Sequence, residues 1–150
     1  MEQHVCILDY GSGNTQSVYN LINHLGYRVE ISNQPKTINE CSHIVLPGVG
    51  SFGGAMIKIK ENIPINLLCN VVLDENKPLL GICVGMQLLA DKGNENGEHN
   101  GLGWITGIVE KLEIKNGNDN AEHGVFWKIW PSYVKFVCPV LILIIFTQTI

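Results

Sequence analysis

The chain has no Cys-x-x-Cys pair, no excess of basic residues and no apolar run long enough to cross a bilayer, and each absence removes a class of function. Its five cysteines, Cys6, Cys41, Cys69, Cys83 and Cys138, are odd in number and scattered. That pattern speaks against a disulfide framework or a zinc site and fits a reducing, cytoplasmic compartment. Ten Lys and Arg against fourteen Asp and Glu leave a formal net charge of -4. Nothing electrostatic therefore points to nucleic acid or an anionic membrane as partner. The opening residues Met1-Glu2-Gln3-His4 hold no basic stretch before an apolar core, so no secretory signal is expected. The run Phe136 to Phe146, apolar apart from Pro139, falls short of the roughly 20 residues a membrane-spanning helix needs.

What is present suits one soluble domain: 150 residues, 45% hydrophobic and 16% charged, enough for a sizeable core. Residues His4 to Leu8 read as a strand ending in the glycine turn Asp9 to Asn14. From Thr15, Val18, Leu21, Ile22 and Leu25 recur at helical spacing until Gly26. Tyr27 to Ile31 and His43 to Leu46 are further strand candidates, separated by a short connection over Pro35 to Glu40. Ala55 to Lys60 and Ile65 to Asp74 read as helical. Strands alternating with helices predict an α/β fold, a mostly parallel sheet covered by helices on both faces. In such sheets active groups gather at the carboxyl ends of the strands. The loops Asp9 to Asn14, Pro47 to Gly54 and Gly81 to Gly85 all lie at such ends and should converge.

The chemistry is expected at Pro78-Leu79-Leu80-Gly81-Ile82-Cys83-Val84-Gly85-Met86-Gln87-Leu88-Leu89, which reads as strand, sharp turn, helix. Glycines two before and two after Cys83 allow the tight turn that lifts a nucleophile off a sheet edge. A helix starting there would favour the thiolate over the thiol. The Val84 amide would point where an oxyanion forms. Glycines on both sides of Val49 would let its peptide reorient to offer a second donor. Gln87 lies one turn along from Cys83 and could bond a polar substrate group. The alternatives are a small buried cysteine, a plain strand-to-helix turn at Pro47 to Gly50 and an exposed Gln87. Gly11-Ser12-Gly13 lacks the third glycine of a dinucleotide fingerprint, where Gln16 stands, so an ordinary turn or partner-contact loop is the better reading there.

Gly81-Ile82-Cys83-Val84-Gly85-Met86-Gln87-Leu88-Leu89, with Leu46-Pro47-Gly48-Val49-Gly50-Ser51-Phe52 upstream and Leu8-Asp9-Tyr10-Gly11-Ser12-Gly13-Asn14 at the start, resembles the class I glutamine amidotransferases. Within them it looks most like the glutaminase subunits of imidazole glycerol phosphate synthases, a likeness that Gly101-Leu102-Gly103-Trp104-Ile105 extends and that runs from about Val5 to Glu113. The resemblance implies a cysteine nucleophile elbow and hydrolysis of glutamine to glutamate and ammonia. Cys83 would form a glutamyl thioester, Val49 and Val84 would supply the oxyanion amides, and Gly48, Gly50 and Gln87 would bind glutamine. It implies a (βα)8-barrel cyclase partner that takes the ammonia, met by Tyr10, Gly11 and Asn14, and neither a cofactor nor a metal. The acceptor would belong to histidine biosynthesis or to a surface-sugar pathway.

The family completes its triad with a histidine and a glutamate in a late His-x-Glu segment that this sequence does not contain. His99 and His123 do not match it and read as loop or surface histidines. A fold incomplete at its C-terminus is therefore expected, truncated or frameshifted, with an amidotransferase-like domain over residues 1–120 and an atypical tail over 121–150. Weak or absent glutaminase activity follows, since triad members act as a unit. A non-catalytic docking module, and another elbow hydrolase or cysteine sensor of the same fold, are the competing readings.

Overall fold

The structure is a computed structural model, and it describes residues 3–110. The expected boundary near residue 120, His123 and the apolar run Phe136 to Phe146 lie outside the described residues.

Four strands, β1 (His4–Leu8), β2 (Arg28–Ser32), β3 (His43–Gly48) and β4 (Leu79–Cys83), form one parallel sheet in the order β2-β1-β3-β4. Alternation along β1 explains how the sheet is covered. Cys6 and Leu8 face a core shared with Ile38, Ile44, Leu46, Phe52, Met56, Ile59 and Leu68, while Val5 and Ile7 face the opposite side with Val45. The first face is closed by helices α2 (Pro35–Glu40), α3 (Phe52–Asn62) and α4 (Ile65–Cys69), the second by α1 (Thr15–His24) through Val18, Tyr19 and Ile22. Each large aliphatic or aromatic side chain so buried stabilises the fold by roughly 1.5–3 kcal/mol relative to exposure. The α/β reading with helices on both faces is what the described residues adopt.

Sequence signals set most element ends. Asn14 caps α1 by accepting the Ser17 N–H at 3.2 Å, and Gly26 follows at a φ of +83°. Ser51 caps α3 through the Gly54 N–H at 3.3 Å, so that helix starts at Phe52 rather than Ala55. Pro35 opens α2. Strand β3 runs two residues past the expected stop, through Pro47 to Gly48, where Gly48 pairs with Cys83. After α4 the backbone widens to π-helical geometry over Asn70–Asp74.

The largest departure lies beyond Cys83. The sequence predicts a helix through Leu89 and then a polar, glycine-rich loop over Asp91 to Gly101, but α5 spans only Val84–Gln87, and Ala90–Gly93 is a strand, β5. It pairs with β6 (His99–Asn100) antiparallel and with β7 (Ile105–Val109) parallel. The carbonyls of Leu88 and Leu89 accept from Leu102, Trp104 and Ile105 instead of from a next helical turn. Leu88 and Leu89 are buried, which anchors the chain while these bonds draw it out of the helix. Gly93 permits the packing, since a Cβ there would stand 2.4 Å from the Phe52 ring.

Candidate functional site

Cys83 closes β4 with φ 55° and ψ −121°, one of only three non-glycine residues at positive φ among those described, and it is exposed. A residue with a Cβ pays of order 1–3 kcal/mol for such a conformation, and such strain gathers at functional sites. The turn turns on close backbone approach as much as on flexibility. A Cβ on Gly85 would lie 1.9 Å from the Leu46 carbonyl oxygen, and one on Gly81 would lie 2.6 Å from the Met86 Cα. The two glycines let α5 fold back onto the ends of β3 and β4, which leaves the cysteine at the crest.

The Pro47–Gly50 run approaches from β3. A Cβ on Gly48 would meet the Gly85 nitrogen at 2.3 Å and the Val84 carbonyl carbon at 2.9 Å. The segments holding Val49 and Val84 are thus backbone against backbone beside Cys83. Val84 is buried, Val49 is about half exposed, and Gly50 takes a φ of +91° with open space around it. Gln87 is partly buried one turn beyond the cysteine. Cys83, Gly48, Val49, Gly50, Val84 and Gln87 therefore share one end of the sheet.

The first loop joins them, but not as expected. Tyr10 is fully buried, and its hydroxyl donates to the Pro47 carbonyl at 2.7 Å. Its side chain fastens two loops together and is turned away from any partner. Asn14 is exposed but occupied as the cap of α1, and Gly11 is exposed with its carbonyl held by Lys58 Nζ at 2.8 Å. Sequence reasoning passed over two bracing residues. Ser12 donates to the Val49 carbonyl at 2.9 Å, and Glu95 accepts the Phe52 N–H at 3.0 Å at the start of α3. The glycine setting of Ser12 was the only signal for the first. Glu95 lies in a polar, glycine-rich stretch whose composition predicts a loop and carries no sign of a partner.

Two expectations need adjustment. The helix behind Cys83 is a single turn, so the macrodipole of a long helix is missing there. His99, expected in a loop or at the surface, is partly buried in β6 and lies against Gly53, where a Cβ would stand 2.5 Å from its Nε2; among the described residues no side chain hydrogen-bonds the Cys83 thiol. An apolar depression of about 480 Å³, lined by Val5, Ile22, Tyr27, Val45 and Leu80 among others, opens at the opposite end of the strands and has no part in this arrangement. Among the described residues no group of three or more His, Cys, Asp or Glu side chains is placed to hold a metal ion, and no helix is long and apolar enough to cross a membrane. An exposed sulfur at a backbone crest, with two peptide segments packed beside it, can attack a carbonyl carbon and be met by amide donors.

Comparison with known proteins places the chain in a family. The family described as glutamine amidotransferase class-I matches residues 6–125. The imidazole glycerol phosphate synthase subunit HisH 2 of Vibrio vulnificus is 44% identical over 124 residues, covering 82% of this chain and 57% of that protein. The corresponding HisH subunit of Leptospira interrogans is 40% identical over 112 residues, 75% of this chain and 54% of that one. The chain thus spans a little over half the length of these relatives. A solved glutamine amidotransferase structure superposes with a TM-score of 0.59 at 20% identity, covering 71% of this chain and 56% of that one, a likeness of fold.

Proposed function

The chain belongs to the class-I glutamine amidotransferase family, and from that membership we propose that it carries the nucleophile half of a glutaminase site, in the manner of the synthase subunits it resembles. The observation that carries the proposal is Cys83, exposed at a positive-φ strand end between two glycines and set against the Pro47–Gly50 run. Cys83 sulfur adds to the side-chain carboxamide carbon of glutamine, forming a C–S bond and placing the π electrons on oxygen. The Val49 and Val84 amides receive that oxyanion, and Gly48, Gly50 and Gln87 hold the substrate. Collapse of the intermediate breaks the C–N bond, the nitrogen takes up the proton the thiol gave up and leaves as ammonia, and water later cleaves the thioester to glutamate and returns a proton to the Cys83 sulfur.

Ammonia loses its nucleophilicity on protonation in bulk water, which favours direct delivery to a (βα)8-barrel cyclase. Gly11 and Asn14 at the exposed first loop are the residues assigned to that partner, with the cytoplasm as the setting. The test is glutamate release from glutamine by the chain, alone and with a purified cyclase subunit, against Cys83→Ala. Cysteine-dependent release supports the reading, and release that survives Cys83→Ala overturns it.

A second reading, a docking module without turnover, is favoured by the lack of a base hydrogen-bonded to the thiol among the described residues. Without such a base roughly 10³ to 10⁴ over water is what the rest of a triad site retains. Stable capture of the cyclase with no glutamate release would select it.

A further inference from the structure

Three successive peptides of the Pro47–Gly50 run lie where Gly48 pairs with Cys83, and the first loop grips the outer two. Tyr10 holds the Pro47 carbonyl and Ser12 holds the Val49 carbonyl. The peptide between them is Gly48–Val49, the one that carries the Val49 N–H. With both neighbours held, the one motion left to this rigid plane is rotation about its own Cα–Cα axis, which turns ψ of Gly48 and φ of Val49 together. The branched side chain of Val49 leaves that φ few allowed wells once the Val49 carbonyl is fixed. The Ser12 contact is, among the described residues, the only side-chain hydrogen bond to the backbone of residues 48–50. Packing does not replace it. Val49 is 52% exposed, and a Cβ on Gly50 would find nothing within 4 Å. Tyr10 is buried and its grip is part of the core, whereas Ser12 is only partly buried and its bond to the loop is exposed.

We propose that Ser12 is a positioning residue of the amidotransferase site, its hydroxyl fixing the Val49–Gly50 peptide so that the preceding Val49 N–H is aimed at the oxyanion formed on Cys83. The inference rests on the glutaminase reading of that site. It gives Ser12 no contact with substrate. It also makes the loop that bears Gly11 and Asn14 the one that sets the oxyanion peptide.

The experiment uses the full chain and the chloromethyl ketone analogue of glutamine, in its L and D forms, with iodoacetamide as a reagent that needs no oxyanion site. Cys83 sulfur forms a C–S bond at the chloromethyl carbon, the C–Cl bond breaks and chloride leaves with its electron pair, while the ketone oxygen occupies the oxyanion position. Intact-mass and peptide analysis follow the rate at Cys83. Ser12→Ala is expected to slow the L-chloroketone about fivefold, the scale of one neutral hydrogen bond, while leaving the iodoacetamide rate and the thermal midpoint unchanged. Ser12→Thr, which keeps the hydroxyl, restores the rate. Equal slowing with both reagents, or no slowing with either, overturns the positioning role. Wild-type Cys83 that does not distinguish the L from the D analogue overturns the glutaminase reading, and this inference with it.

Discussion

Gly48 and Cys83 stand opposite one another at the last rung of the β3–β4 ladder, and that pairing is what brings the Pro47–Gly50 run to the sulfur. Everything expected of the site depends on backbone approaching backbone at this rung.

Filling that approach should break the fold locally. Gly85→Ala would place a Cβ 1.9 Å from the Leu46 carbonyl oxygen, and because the obstacle is backbone, neither side can yield cheaply. A loss of about 3 kcal/mol or more in urea unfolding is expected, at the upper end of overpacking effects. Gly11→Ala, with open space around its Cβ but a φ of +76°, should lose only about 1 kcal/mol. Equal losses at the two positions would show that close approach is not the constraint at Gly85.

The cysteine itself sits in a strained backbone conformation. At φ 55° and ψ −121° any residue with a Cβ is penalised, so Cys83→Ala keeps the strain and Cys83→Gly releases it. Glycine costs extra conformational entropy on folding, about 0.5–1 kcal/mol, which offsets part of the relief. Cys83→Gly is expected to be about 1 kcal/mol more stable than Cys83→Ala in urea melts. A less stable glycine variant would mean that the crest is unstrained.

How far the sequence revealed this site follows from the range of the forces involved. Glycine spacing around Cys83 and around Val49 is a local signal, and both turns form where it falls. The convergence of the three loops follows from parallel topology. The orientation of Tyr10 and the pairing of Ser12 with Val49 depend on contacts between residues far apart in sequence, on which spacing is silent. The tyrosine next to a glycine turn read as a surface contact, yet a carbonyl waiting at Pro47 drew it inward. The stretch after Gln87 misled for a similar reason, because Leu88, Leu89 and Leu102 fit helical or strand patterns equally until the bonds to Trp104 and Ile105 decide.

Thiol reactivity should rank by burial. Cys6 is inaccessible and Cys41 only 3% exposed, whereas Cys83 is exposed and Cys69 intermediate. The Cys6 thiol is further held in its protonated form by its hydrogen bond to Cys41 and by burial. Among these four cysteines of the described residues, peptide mapping after a brief pulse of iodoacetamide is expected to find Cys83 modified first and Cys69 later, with Cys6 and Cys41 modified only in denaturant. Early labelling of Cys6 would contradict the packing of β1 against α2.

Tyr10→Phe separates the loop brace from the core. The ring is retained, the Pro47 carbonyl loses its donor in a buried setting, and a loss of about 1–2 kcal/mol is expected at neutral pH. Burial raises the Tyr10 phenol above its ordinary value of 10.0, against a smaller opposing effect of the Ser12 hydroxyl. Because the folded value lies above the unfolded one, the unfolded chain releases this proton first as pH rises. The contribution is therefore complete below about pH 10 and is lost as pH climbs through the raised folded value. Urea melts of wild type and Tyr10→Phe should differ by a constant amount from neutral pH to about pH 9, and the gap should narrow above pH 10. A gap that stays constant into strong alkali would place the phenol in contact with water rather than under the Pro47–Gly50 run.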